Sequence, residues 1–353
     1  MADRYWVGGS GTWDATSTAH WSATSGGASG ASVPTTNDNV FFDTVLAASV
    51  TLTGSLNCLD LNVTRGTNFS STGTLTITRN FNGSLANWSA TGTITFISST
   101  SATFLPAPSS MPCSIIVNKP TGTLTLTGNL NLSSSTRTLT LTAGTFNAAG
   151  YTVTTGLVSI TGSTTRTLTM GSGLWTLSGT GTVWNAATTT GLTFNVNTAN
   201  ILLSDTSTTA RTFAGGDLTY NKLTIGGTTG ISTLTINGAN TFSELASTKT
   251  VAHTITFPSS TTTTVGAWSI SGTAGNLVIL TPSTAATAYT LTKSGGGVVS
   301  ADYLSISYST ATPSSTWYAG ANSVNTIGNS GWIFTAPPVG GYVANSIFFG
   351  GTF

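Results

Sequence analysis

A polar–apolar beat returns along this chain from residue 50 onward, and it limits what the chain can fold into. It reads Thr74-Leu75-Thr76-Ile77-Thr78, Thr93-Ile94-Thr95-Phe96, Thr123-Leu124-Thr125-Leu126-Thr127, Thr138-Leu139-Thr140-Leu141-Thr142, Thr233-Leu234-Thr235-Ile236 and Thr254-Ile255-Thr256-Phe257. Strict alternation puts one face of each segment inside and the other in water, which is the period of a β-strand. Threonine, being β-branched, suits a pleated and half-exposed surface. Turns rich in Gly, Ser, Asn and Thr separate the beats, and there is no convincing apolar stripe with a period of 3.6. Short strands recurring in this way predict a solenoid, each coil covering the open side of the last.

The expected fold class is all-β, a right-handed parallel β-helix with aromatic-rich caps at both ends. Coils of roughly 20 to 25 residues, about a dozen of them stacked at about 4.8 Å, would make a rod on the order of 60 Å long. The period is imperfect: Arg137-Thr138-Leu139-Thr140 returns as Arg166-Thr167-Leu168-Thr169, whereas other beats recur sooner. No hexapeptide or calcium-binding nonapeptide repeat is present. Antiparallel β-sandwich domains are the alternative, since they too show short strands with frequent turns.

Four regions follow. Residues 1–48 hold Trp6, Trp13 and Trp21 with Tyr5, Phe41 and Phe42, and read as an N-terminal aromatic cap that hides the first strand edge and a bare core end. Residues 49–300 are the Thr-rich body. Large aromatics return in residues 301–335, which read as a closing cap. Residues 336–353 form a tail beyond the Pro337-Pro338 break, uncharged and apolar, with Tyr342, Phe348, Phe349 and Phe353 as docking side chains. The tail is expected either to close the end of its own solenoid or to dock on a neighbouring subunit.

At 39% hydrophobic the chain can bury a core, yet only 5% of its residues are charged, against about a quarter in an average soluble protein. A surface of Thr, Ser and Asn offers little repulsion against association, so a homo-oligomer or larger assembly is expected. Ten scattered Lys and Arg and a net charge of +1 make no basic stripe, so no nucleic-acid partner is expected. No 18-residue apolar stretch occurs, so no membrane insertion is expected, and the first residues contain no secretory-type apolar run. Cys58 and Cys113 provide no disulfide framework and read as small buried side chains. An adhesin-like composition without an export address fits a protein made in the cytoplasm and released by lysis, such as a virion component. An export segment absent from this sequence would also fit.

Chemistry is poorly provided for. Polysaccharide cleavage would need two or three converging carboxylates, and the body offers Asp60, Asp205, Asp217 and Glu244, the last being the sole glutamate. Asp217 and Glu244 are spaced so that they could lie one coil apart; turn carboxylates bonding their own backbone are the simpler reading. His20 and His253 have no metal-ligand partners at suitable spacing. No Gly-x-Ser-x-Gly elbow marks a nucleophile, and Gly295-Gly296-Gly297 does not lie between a strand and a helix. No catalytic residue, metal site or cofactor is therefore expected. Trp6, Trp13, Trp21, Trp317 and Trp332 read as plugs at the two ends. Trp184 and Trp268, in the body, are the candidates for glycan or partner contact if they point outward.

The first cap carries Tyr5-Trp6-Val7-Gly8-Gly9-Ser10-Gly11-Thr12-Trp13-Asp14, His20-Trp21-Ser22, Pro34 and Asp38-Asn39-Val40-Phe41-Phe42-Asp43. It resembles the opening of β-helical autotransporter passenger domains. It also resembles a largely uncharacterised family of tailed-bacteriophage structural proteins. The second resemblance extends to the far end, through Asp302-Tyr303-Leu304-Ser305-Ile306-Ser307, Thr316-Trp317-Tyr318-Ala319-Gly320-Ala321-Asn322-Ser323 and Gly328-Asn329-Ser330-Gly331-Trp332-Ile333-Phe334. It implies a non-enzymatic virion protein, part of a tail fibre, tail tip or head-decorating fibre, with other virion proteins as partners and a rod-like adhesive surface for host surface glycans. His20 stands where Asn is commoner. A phage polysaccharide depolymerase on the same fold and a bacterial surface adhesin are the alternatives.

Overall fold

The computed structural model describes residues 1–44, 48–132, 134–227 and 232–338. Among them every regular element is a strand and none is a helix. The strands stack in parallel into a β-solenoid of about 13 turns. The antiparallel sandwich is excluded: among the described strands, only Asp3–Trp6 against Trp21–Ser22 pairs antiparallel.

Each early coil has three faces. The first face starts with Asp3–Trp6 and Asn39–Phe42 and continues through Leu61–Val63, Phe81–Asn82 and Ala102–Leu105 to Arg166–Thr169 and Leu192–Asn195. The second runs the length of the rod, from Ser55–Cys58 through Thr74–Ile77 and Ile94–Ile97 to Leu304–Ser307 and Val324–Ile327. The third begins with Gly11–Trp13 and Ala48–Leu52, breaks, and resumes from Leu130–Asn131 to Ser309–Thr312. Pro106, Pro108 and Pro112 lie in the break; proline has no N–H to give to a ladder. Beyond Asn195 the first face stops. The chain then passes from the second face into longer third-face strands, Thr219–Ile225, Thr241–Ser247 and Thr262–Ser269.

The beat decides what each position does. Leu139 lies in register between Ile115 and Val158 and is 3% exposed, while Thr140 beside it is half-exposed. Like therefore stacks over like, giving interior columns of Leu, Ile, Val and Phe and exterior columns of Thr, Asn and Ser. Coil length varies: 19 residues separate Leu75 from Ile94, and 29 separate Trp184 from Phe213. The echo of Arg137-Thr138-Leu139-Thr140 in Arg166-Thr167-Leu168-Thr169 is not a coil repeat. Leu139 belongs to the second face, whereas Leu168 stacks on Phe146 and Phe194 in the first.

At the N-terminal end Trp6, Trp13 and Trp21 are essentially fully buried, with ring centroids 5.1 Å (Trp6–Trp21) and 5.2 Å (Trp13–Trp21) apart, edge to face. His20 stacks on Trp6 at 4.7 Å, and a side chain at Gly11 would collide with its ring. The cap is not a separate layer, because Gly11–Trp13 and Asp3–Trp6 already form the first rungs of two faces. Residues 301–335 likewise continue the stacks, and a tryptophan ladder, Trp268–Trp317–Trp332, runs up their interior at 5.6 and 5.0 Å. Tyr342, Phe348, Phe349 and Phe353, the expected docking side chains, lie outside the described residues.

The column assignment has a direct test. Leu139→Asp should cost several kcal/mol, because it buries an unpaired charge, and Thr140→Asp should cost far less. Urea midpoints that fall equally for the two variants would put the beat on the wrong face.

Candidate functional surface

The carboxylates serve the frame. Asp60 receives Arg79 Nε at 2.8 Å and the Asn80 N–H at 2.9 Å, and these donors hold it below the usual carboxylate range despite its burial. Asp205 pairs with Arg211. Asp14 accepts the N–H groups of Thr16 and Ser17 at 2.7 and 2.6 Å, Asp38 those of Ala2 and Thr35, and Asp302 those of Tyr303 and Asn322. The bonds of Asp14, of Asp38 to Thr35 and of Asp302 to Tyr303 are turn locks of the kind Asp forms with nearby backbone, while those to Ala2 and Asn322 tie in segments 36 and 20 residues away.

Asp217 and Glu244 do not converge. Asp217 Oδ1 accepts the N–H of Ala239 in the next coil. Glu244 is five positions further along that coil, in register with Lys222 and 3.0 Å from its Nζ. Among the described residues no group of three His, Cys, Asp or Glu side chains could hold a metal ion. Burial pushes the Cys113 thiol up to about 12 and that of Cys58 higher still, which leaves neither as a thiolate nucleophile.

One serine–histidine contact invites a chemical reading. His253 Nε2 is 3.0 Å from Ser247 Oγ, and its Nδ1 is 2.9 Å from the Val251 carbonyl. The carbonyl can only accept, so Nδ1 carries the proton and Nε2 accepts from the hydroxyl. Ser247 Oγ also accepts the Lys249 N–H. His253 is 3% exposed, and these bonds close the corner between Thr241–Ser247 and His253–Phe257. The arrangement is a corner lock.

Cations do similar work. Lys119, fully buried, donates to the carbonyls of Ile97 at 2.7 Å and Thr78 at 3.0 Å, one and two coils below; burial lowers its ammonium to about 8. Arg166 donates to the carbonyls of Ile160, Thr164, Thr188 and Thr190. Both satisfy backbone acceptors left over where coils of unequal length meet, as buried acceptors require.

The sequence expectation for the body tryptophans is corrected. Trp184 is fully buried, with Nε1 donating to the Tyr220 hydroxyl at 3.0 Å. Trp268 is 8% exposed, and its Nε1 donates to the Ile270 carbonyl at 2.9 Å. Their large apolar area fills the interior, and each indole N–H finds a partner there. Neither offers a ring face for a sugar.

What faces outward is a ladder. On the first face Thr123, Thr145, Thr167 and Thr193 stand in register on successive coils, and beside them runs a second column of Thr103, Thr125, Asn147, Thr169 and Asn195. Rungs are about 4.8 Å apart, and alternate residues of one strand about 6.6 Å apart. The patch contains no charged side chain. The beats at Thr123 and Thr167 are legible in the sequence; their alignment is not, because unequal coils separate them. A shallow cleft of about 300 Å³ also opens at the N-terminal shoulder, lined by Asp14, Pro34, Thr35, Ser55 and Asn57 among others.

Comparison of the chain with protein-family models, with curated proteins and with solved structures finds no match.

The corner lock makes a pH prediction. Burial, first of all, lowers the His253 imidazole below its ordinary 6.5. As pH falls from 6.5 towards that lowered value, the unfolded chain takes up a proton that the folded one refuses, so stability declines. Urea midpoints between pH 8 and 5 should show this decline, and His253→Gln should flatten it. Parallel curves for the two proteins would remove His253 as its source.

Proposed function

We propose that this chain is a non-enzymatic structural rod of a bacteriophage particle, part of a tail fibre, tail tip or head-decorating fibre, which touches host glycans through its uncharged hydroxyl faces. The observation that carries this reading is the first-face ladder, four rungs of threonine with threonine or asparagine beside each of them. Hydroxyl and amide groups exchange hydrogen bonds with sugar hydroxyls as readily as with water. Each exchange is worth only about 0.5–1.5 kcal/mol, so useful affinity comes from copy number. Presenting several rods together raises avidity by roughly 10²–10⁴ without any new contact.

Two further observations support the reading. The carboxylates that a depolymerase would need are spent in ion pairs and turn locks. The terminal motifs resemble phage structural proteins at both ends of the chain. Assembly with other virion proteins and with further copies of the chain belongs to the same proposal, as does residence in the virion.

The test uses immobilised surface polysaccharide from the host. Rods displayed as an array should bind, single rods should bind weakly, and Thr145→Glu with Thr167→Glu should abolish array binding with the unfolding midpoint nearly unchanged. Binding that survives the double variant would remove the ladder as the contact surface. Release of reducing or unsaturated ends, lost in Asp217→Ala or Glu244→Ala, would replace the structural reading with a depolymerase. Labelling the chain on intact particles locates it in head or tail.

A further inference from the structure

The cleft at the N-terminal shoulder lies where residues 13–15 and 33–36 meet Ser55–Cys58 of the second face. Part of its lining is apolar: Trp13, Val33, Pro34 and Leu56. Trp13 is 1% and Leu56 2% exposed, so the core holds this part of the wall in place. The rest is polar and includes Asp14, Thr36, Ser55 and Asn57. Asp14 spends Oδ1 on the N–H groups of Thr16 and Ser17, which leaves Oδ2 without a partner among the described residues. The Thr36 and Ser55 hydroxyls and the Asn57 amide likewise bond to no described residue. Most other carboxylates of the chain are committed to ion pairs or backbone. Here uncommitted polar groups gather around a fixed apolar wall, which is the make-up of a small-ligand site.

The lining selects the ligand's chemistry. A cavity of about 300 Å³ is at the lower end for small-ligand sites, with room for one ring rather than a chain. A pyranose carries hydroxyls around its rim and C–H groups on its faces. It can therefore satisfy the apolar wall and the polar groups together. A carboxylate accepts sugar hydroxyls through charge-assisted bonds, roughly twice as strong as neutral ones. The N–H groups of Ser17 and Thr16 hold the Asp14 carboxyl below its ordinary range, so it is negative near neutral pH. Among the described residues no Lys or Arg lines the cleft to offset that charge. An acidic sugar would meet an uncompensated like charge. The cleft also adjoins a polar column, in which Asn57 stands in register with Thr76 and Thr76 with Thr95. A glycan whose last ring sits in the cleft has these groups to follow along the second face.

We propose that the shoulder cleft binds one pyranose without an acid group, neutral or amine-bearing, at the exposed end of a glycan. The site rests on the glycan-contact reading above and deepens it. The first-face ladder gives weak contact along a polymer, whereas the cleft chooses which end sugar is taken.

The full chain is titrated with methyl glucoside, methyl galactoside, methyl mannoside, glucosamine and glucuronic acid, and the amide NMR signals of residues 13–15, 35–36 and 55–57 are followed. At least one neutral or amino sugar should shift these signals, and glucuronic acid should bind at least about tenfold more weakly. Asp14→Asn keeps an oxygen for the Thr16 and Ser17 N–H groups and should narrow that gap. Ser55→Tyr fills the cleft from an exposed position and should remove binding with the unfolding midpoint nearly unchanged. If that variant does not fold, Asn57→Ala takes its place, with binding weakened about two- to tenfold. No shift with any of the five sugars would overturn the proposal. So would glucuronic acid bound as tightly as the neutral sugars, or binding indifferent to both cleft variants. Thr145→Glu with Thr167→Glu, on the first face, should leave the titration unchanged; a titration lost in that double variant would move the sugar from the cleft to the ladder. Cleft and ladder can thus fail separately.

Discussion

The structure depends on one constraint: the backbone hydrogen bonds of a parallel sheet hold neighbouring coils about 4.8 Å apart along the whole rod. At that spacing each side chain touches the residue in register above and below more closely than almost anything else. An interior column must therefore be apolar at every rung, and an exterior column must tolerate water at every rung. The Thr-x-Thr beat is the simplest sequence that satisfies both conditions, and its recurrence keeps Ile115, Leu139 and Val158 in one column and Ile116, Thr140 and Ser159 in another.

Unequal coil lengths strain that constraint at the corners, and several of the few charged residues are found there. A longer coil leaves carbonyl groups without ladder partners, and a buried carbonyl without a donor costs about 1–3 kcal/mol. Lys119 and Arg166 supply donors to six such carbonyls between them. Asp60, Asp205 and the Ser247–His253 contact fix other corners. Several ionisable groups among the described residues tie coils together in this way, and much of the exterior is left to hydroxyls and amides. A surface of that kind is suited to many weak contacts, as the proposed adhesive role requires.

The alternating beat by itself determined strand, half-burial and stacking, because a period of two allows no other amphipathic structure and a half-covered strand needs a neighbour. It also marked the terminal tryptophans as interior, since clustered aromatics with turn residues around them suit a capped end. Coil length and face were decided only in three dimensions. Leu139 and Leu168 sit in identical local sequence yet on different faces, because the strand Thr138–Asn147 passes from the second face to the first at Gly144, where the backbone takes a positive φ. The same non-local alignment brought Thr123, Thr145, Thr167 and Thr193 into one ladder and kept Asp217 and Glu244 apart. It also turned Trp184 and Trp268 inward, since orientation follows from the register of a strand with its neighbours, and that register is written in no single segment of the sequence.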